Sequence, residues 1–115
     1  MDDSAFIAAA EATLDKIGLA LDAALETSDA DLDWSLNDGV LTIECEDGSR
    51  IIVNRHVPNR EIWVAARSGG FHYRAVDGRW RDTRSGDELG AALVALLSAQ
   101  AGLAVRLDAL RAPAS

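Results

Sequence analysis

Four short turn signals most constrain this chain. Asn37-Asp38-Gly39, Glu46-Asp47-Gly48, Ser68-Gly69-Gly70 and Asp77-Gly78 fall between runs rich in β-branched and aromatic residues. Turns of this kind supply the positive φ angles that tight hairpins need, so each pair of flanking runs must be antiparallel neighbours. The runs are "DLDWSLN", "VLTIEC", "SRIIVNR", "EIWVAAR", "FHYRAV" and "RWRDT". The first alternates strictly, with Leu32, Trp34 and Leu36 on one face and Asp31, Asp33 and Ser35 on the other, as a half-buried strand does. Six such strands predict an antiparallel sheet, mostly a meander.

The sheet is flanked by two helical patterns. From about Asp3 to Glu26, Phe6, Ala10, Thr13, Leu14, Ile17, Leu21 and Ala24 recur every three or four residues, and Asp2, Asp3 or Ser4 can cap the start. Ser85 and Glu88 have capping-box spacing ahead of a second helix that runs to about Ala101. Leu89, Leu93, Leu96, Leu97 and Gln100 mark its inner face, and Gly102 its stop. Helix, strands, helix predicts an α+β two-layer sandwich, with both helices on one face of an antiparallel β-sheet of about six strands. The expected domain spans residues 1–107; 108–115 is expected to be a flexible C-terminal tail.

Charge divides the chain unevenly. Residues 1–48 hold thirteen acids against Lys16 alone, whereas ten arginines face six acids from residue 49 onward, for a net charge of −8. Such a balance disfavours nucleic acid, whose phosphates require clustered cations, and suits metal cations or a basic protein surface. With about 100° per residue, Glu11, Asp15, Asp22 and Glu26 share a narrow arc away from the apolar stripe. Asp29, Asp31 and Asp33 continue this acidic ridge. It reads either as a solvated face or as a set of hard oxygen ligands for Fe²⁺, Fe³⁺, Ca²⁺ or Mn²⁺, bound weakly.

The single Cys45 provides no internal disulfide and no thiolate cluster, and no apolar run reaches membrane-span length, so a reducing cytoplasmic setting without membrane association is expected. No catalytic motif is present, and the chain is expected to be non-enzymatic. On the sheet face away from the helices, alternation places Asn54, Trp63 and His72. Trp63 reads as a half-covered aromatic or as a partner anchor. His56 and His72 stand isolated in sequence.

"MDDSAF" opening an acidic helix, the run "DGVLTIECEDGSRIIVNRHVPNREIWVAARSGGFHY" and "DGRWRDTRSGDEL" before the last helix together resemble the frataxin family, over residues 1 to about 107. The resemblance implies a frataxin-like fold and an iron-binding regulator of iron–sulfur cluster assembly. It implies an acidic ridge that docks on a cysteine desulfurase and its iron–sulfur scaffold complex. Position by position, the implied metal residues are Asp22, Glu26, Asp29, Asp31 and Asp33, with Asp2, Asp3, Asp15 and Glu44 peripheral. The implied partner residues are Trp63 and Asn54 together with Asp22, Asp29, Asp31 and Asp33. Iron would bind weakly at the surface, with other divalent cations able to substitute, to a monomer for which iron-induced oligomers are the alternative. The alternative implied role is an iron donor or store for cluster or haem synthesis; a ferroxidase is least favoured because no His-and-Glu di-iron pattern is present. Gly18-Leu19 and Ala23-Ala24 stand where related chains often carry acids, which thins the ridge late in helix 1.

Overall fold

The computed structural model describes residues 1–114. Helix α1 spans Asp3–Glu26, strands β1 to β6 span Asp33–Asn37, Val40–Glu44, Arg50–His56, Glu61–Ala66, Gly69–Val76 and Arg79–Asp82, and helix α2 spans Leu89–Ala101. The six strands hydrogen-bond in sequence order, every pair antiparallel. Both helices lie on one face of this meander, as the patterning predicts.

Local chemistry sets the turns. Asp38 and Gly39 have φ of 48° and 77°, and Asp77 and Gly78 have φ of 50° and 77°. Positive φ at both central positions gives the primed hairpin geometry that follows the right-handed twist of the strands. Gly39 answers a second demand: a Cβ there would lie 2.5 Å from the Arg55 side chain, which crosses the turn to reach Glu11 at 2.8 Å.

The core forms between the layers. Phe6, Leu14, Ile17 and Leu21 of α1 and Leu89, Leu93 and Leu97 of α2 are buried against Leu41, Ile43, Ile51, Val53, Ile62, Val64, Tyr73 and Trp80 of the sheet. Trp80 stands edge-on to Phe6, with ring centroids 5.9 Å apart. Its indole N–H donates to the buried Thr13 hydroxyl at 3.0 Å, so its one polar atom is satisfied inside the core. Burial and the nearby Asp82, Asp87 and Glu88 carboxylates push the Tyr73 phenol up to about 12.

One expectation changes at the start of α2. Ser85 does not cap α2: its hydroxyl accepts from the Asp87 amide. Glu88 caps instead, its carboxylate accepting from the Gly90 and Ala91 amides. The same carboxylate accepts from the Leu110 amide at 3.0 Å, which docks the following segment. Leu103, Val105 and Leu110 are buried, Arg111 bridges to Arg79, and the Ala112 amide donates to the Gly78 carbonyl. Residues 110–112, within the segment read from the sequence as a flexible tail, are thus held at the start of α2 and at the edge of β6. No helix among the described residues is long and apolar enough to cross a membrane.

Candidate functional site

The acidic residues separate into paired and unpaired sets. Asp3 meets Arg60 at 2.9 Å, Glu44 meets Arg50 at 3.5 Å, and Arg55 holds both Glu11 and Asp38. These exposed pairs contribute little stability, but they consume charge. Asp2 is occupied as well, accepting the Ala5 amide as the cap of α1. Asp15, Glu26, Asp29, Asp31 and Asp33 are exposed and have no basic partner among the described residues. The uncompensated part of the ridge thus runs from the outer face of α1, through its connection to the sheet, onto edge strand β1. Asp33 stands directly opposite Glu44 on β2, an acid-against-acid placement that a cation would relieve.

Asp22 differs from its neighbours. Its carboxylate accepts the indole N–H of Trp34 at 2.9 Å, and that indole occupies the space beside Gly18. A Cβ on Gly18 would come within 2.7 Å of the ring. The gap in the ridge at Gly18 therefore has a packing cause: a side chain there would displace the tryptophan that ties β1 to the helix. No group of three or more His, Cys, Asp or Glu residues among the described residues could together hold a metal ion. The ridge offers single carboxylates and pairs, a donor set suited to a hard cation that keeps most of its water.

The outer sheet face carries a second, compact feature. Asn54, Trp63 and His72 stand in register across β3, β4 and β5, as alternation predicts. Trp63 is only partly exposed, because two imidazoles cover its faces. His56 stacks on it at 3.6 Å and 10°, and His72 at 4.4 Å and 8°. Its indole N–H donates to Glu61 at 2.9 Å, and the same carboxylate receives Arg74 at 3.0 Å. His72 Nδ1 lies 3.7 Å from it. Burial pushes the Glu61 carboxyl pKa up, but the Trp63 and Arg74 hydrogen bonds and the charges of Arg74 and His72 outweigh it and hold the group below the ordinary glutamate value. His56 Nδ1 is buried without a partner. Beside the stack, Ile52, Asn54, Ala65, Phe71 and His72 help line a shallow hollow of about 220 Å³.

Sequence reasoning located Trp63 and Asn54 but missed His56, Glu61 and Arg74 around them. Period two along β4 already puts Glu61 on the Trp63 face. Placing His56 against the indole required the β3–β4 register, which the Val57–Arg60 connection sets and no local pattern reveals.

Residues 1–103 match a family model described as a frataxin-like domain. An iron–sulfur cluster assembly protein CyaY from Burkholderia mallei is 50% identical over 109 residues, covering 95% of this chain and 100% of that protein. One of the same name from Cupriavidus pinatubonensis is 50% identical over 107 residues, covering 93% and 96%. Among solved structures, a frataxin from Psychromonas ingrahamii superposes with a TM-score of 0.75 at 36% identity, covering 91% of this chain and 96% of that one. A trimeric yeast frataxin from Saccharomyces cerevisiae, complexed with ferrous iron, gives a TM-score of 0.73 at 26% identity, covering 82% and 86%.

Proposed function

This chain belongs to the frataxin family, and on that premise we propose that it is a non-enzymatic, iron-responsive regulator of iron–sulfur cluster assembly that docks on a cysteine desulfurase and its scaffold. The observation that carries this reading is the run of unpaired carboxylates at Asp15, Glu26, Asp29, Asp31 and Asp33. A fold that pairs Asp3, Glu11, Asp38 and Glu44 with arginines leaves this stripe for an external cation. A basic protein surface meets it by electrostatic steering. Iron binding to the same oxygens would reduce the negative charge and weaken that contact, so the two ligands are coupled through one site. The Trp63 platform on the outer sheet face supplies the contact that charge alone does not.

Replacing Asp29, Asp31 and Asp33 together by Lys is expected to weaken desulfurase binding by about tenfold or more at low salt and to flatten its salt dependence. A binding titration at two ionic strengths measures both. Unchanged affinity with an unchanged salt slope would remove the ridge from the interface. Anaerobic Fe²⁺ titration followed by amide NMR should perturb residues 22–33, and shifts absent from that stretch would remove iron from it.

A second reading, iron storage or donation, is favoured by the trimeric ferrous complex of the yeast relative. It predicts growth in sedimentation coefficient on aerobic iron loading. A species that stays monomeric through saturation supports regulation instead.

A further inference from the structure

The arginines also divide into paired and unpaired sets. Arg50, Arg55, Arg60, Arg67 and Arg74 close ion pairs with carboxylates. Arg79, Arg81, Arg84, Arg106 and Arg111 have no carboxylate partner among the described residues. Four of those five gather at the β6 end of the sheet, the opposite edge from β1. Their register is unusual: Arg81 stands directly opposite Arg74 across β5 and β6, and Arg79 directly opposite Arg111. Like charges so placed destabilise an antiparallel pair, and this strand carries two such pairs in alternate positions. Because Trp80 between them enters the core, Arg79 and Arg81 project to the outer face.

The guanidinium groups have donors to spare. Arg74 spends one N–H on the Glu61 carboxylate and Arg81 one on the Gly86 carbonyl, out of five donors on each. Arg74 and Arg81 line a hollow of about 400 Å³ together with Val76, Thr83 and Gly86. Its one carboxylate, Asp82, is buried and accepts the Arg84 and Ser85 amides through one oxygen, so the arginines outnumber the acids that line it. Of the other acids near this end, Glu88 is committed to the α2 cap, while Asp77 and Asp87 are exposed on the flanking turns.

We propose that this hollow binds a small polyanion carrying at least two carboxylate or phosphate groups, held between the Arg74 and Arg81 guanidinium groups. Planar guanidinium forks donate to such oxygens in bidentate fashion, and two guanidinium groups in register match an anion with two charged ends better than a single oxyanion. Binding offsets the opposed positive charges, so the ligand stabilises the fold. The site lies across the sheet from the acidic ridge and stands or falls independently of the proposed regulatory role.

The test uses the full chain with pyrophosphate and citrate as probes, at ionic strength matched by NaCl. Isothermal titration should show one saturable site for at least one probe, and the tighter of the two assigns phosphate or carboxylate chemistry. That probe should raise the melting temperature. Arg81→Gln should weaken binding by about tenfold or more, the loss of a charge-assisted hydrogen-bonded contact. Without anion the same variant should melt no lower than the parent, since one opposed charge is gone. Arg106→Gln, outside the hollow, should bind as the parent does. Equal weakening by Arg81→Gln and Arg106→Gln, or no saturation by either probe, would overturn the proposal as general charge screening; anion-driven self-association in sedimentation would overturn it in favour of a contact between copies.

Discussion

Trp63→Ala is expected to raise the dissociation constant for the desulfurase and scaffold assembly about thirtyfold, a loss of about 2 kcal/mol. The size follows from preorganisation. His56 and His72 hold both faces of the indole and Glu61 fixes its N–H, so little side-chain entropy remains to be lost when a partner docks. Truncation removes the ring and also the support that the two imidazoles share. Because stacking of this kind contributes about 1 kcal/mol to the free protein, the melting temperature should also fall, by about 5 °C. Trp63→Phe separates the two effects: it keeps an aromatic ring between the imidazoles and loses only the bond to Glu61. Binding near the parental value in Trp63→Phe with a large loss in Trp63→Ala would identify the ring as the anchor. Parental binding in both variants would exclude Trp63 from the interface.

The architecture was legible in the sequence because each element carried its own local signal. Asn37-Asp38-Gly39 and Asp77-Gly78 announce primed hairpins, and the stripe from Phe6 to Leu21 announces a buried helix face. What was not legible depends on pairs of residues far apart in the chain. Gly18 looked like a missing ridge carboxylate, yet it is the space into which Trp34 folds before bonding to Asp22. The ridge acids formed one class on the helical arc; only arginines contributed from β3 and the β3–β4 turn divide them into paired and unpaired groups. His56 and His72 were single histidines until the register of β3, β4 and β5 closed them on Trp63. The capping error at Ser85 has the same origin: Glu88 serves as cap because it also receives Leu110 from the returning chain.

The two charged edges and the aromatic platform share one physical arrangement. Strands β1 and β2 carry Asp33 against Glu44, and strands β5 and β6 carry Arg81 against Arg74. In each juxtaposition one member already meets an opposite charge, Glu44 with Arg50 and Arg74 with Glu61, and a ligand of opposite sign offsets the member left over. Between them, Arg74 reaches inward to the carboxylate that also holds Trp63. Glu61 is therefore the residue on which the platform depends.

Glu61→Ala is expected to cost about 2 kcal/mol of stability at neutral pH, read from urea unfolding. The carboxylate is buried, with its side chain 5% exposed, and its removal strands the half-buried Trp63 N–H. Arg74, 63% exposed, can turn to water, which keeps the loss below that of a fully buried ion pair. The pH dependence has a defined sign. Since the folded protein holds the Glu61 carboxyl below its ordinary value of 4.5, the ionised form stabilises the fold above that pH. That contribution is lost as pH falls from there through the lowered folded value. Glu61→Gln removes the titration while keeping an acceptor for Trp63, so its stability should change less steeply with pH across that window than the parent's. Indole fluorescence of Trp63 gives a local readout in the same titration, isolated by comparison with Trp63→Phe. If Glu61→Ala unfolds at the parental urea concentration, or if Glu61→Gln keeps the parental acid slope, Glu61 does not hold the platform together.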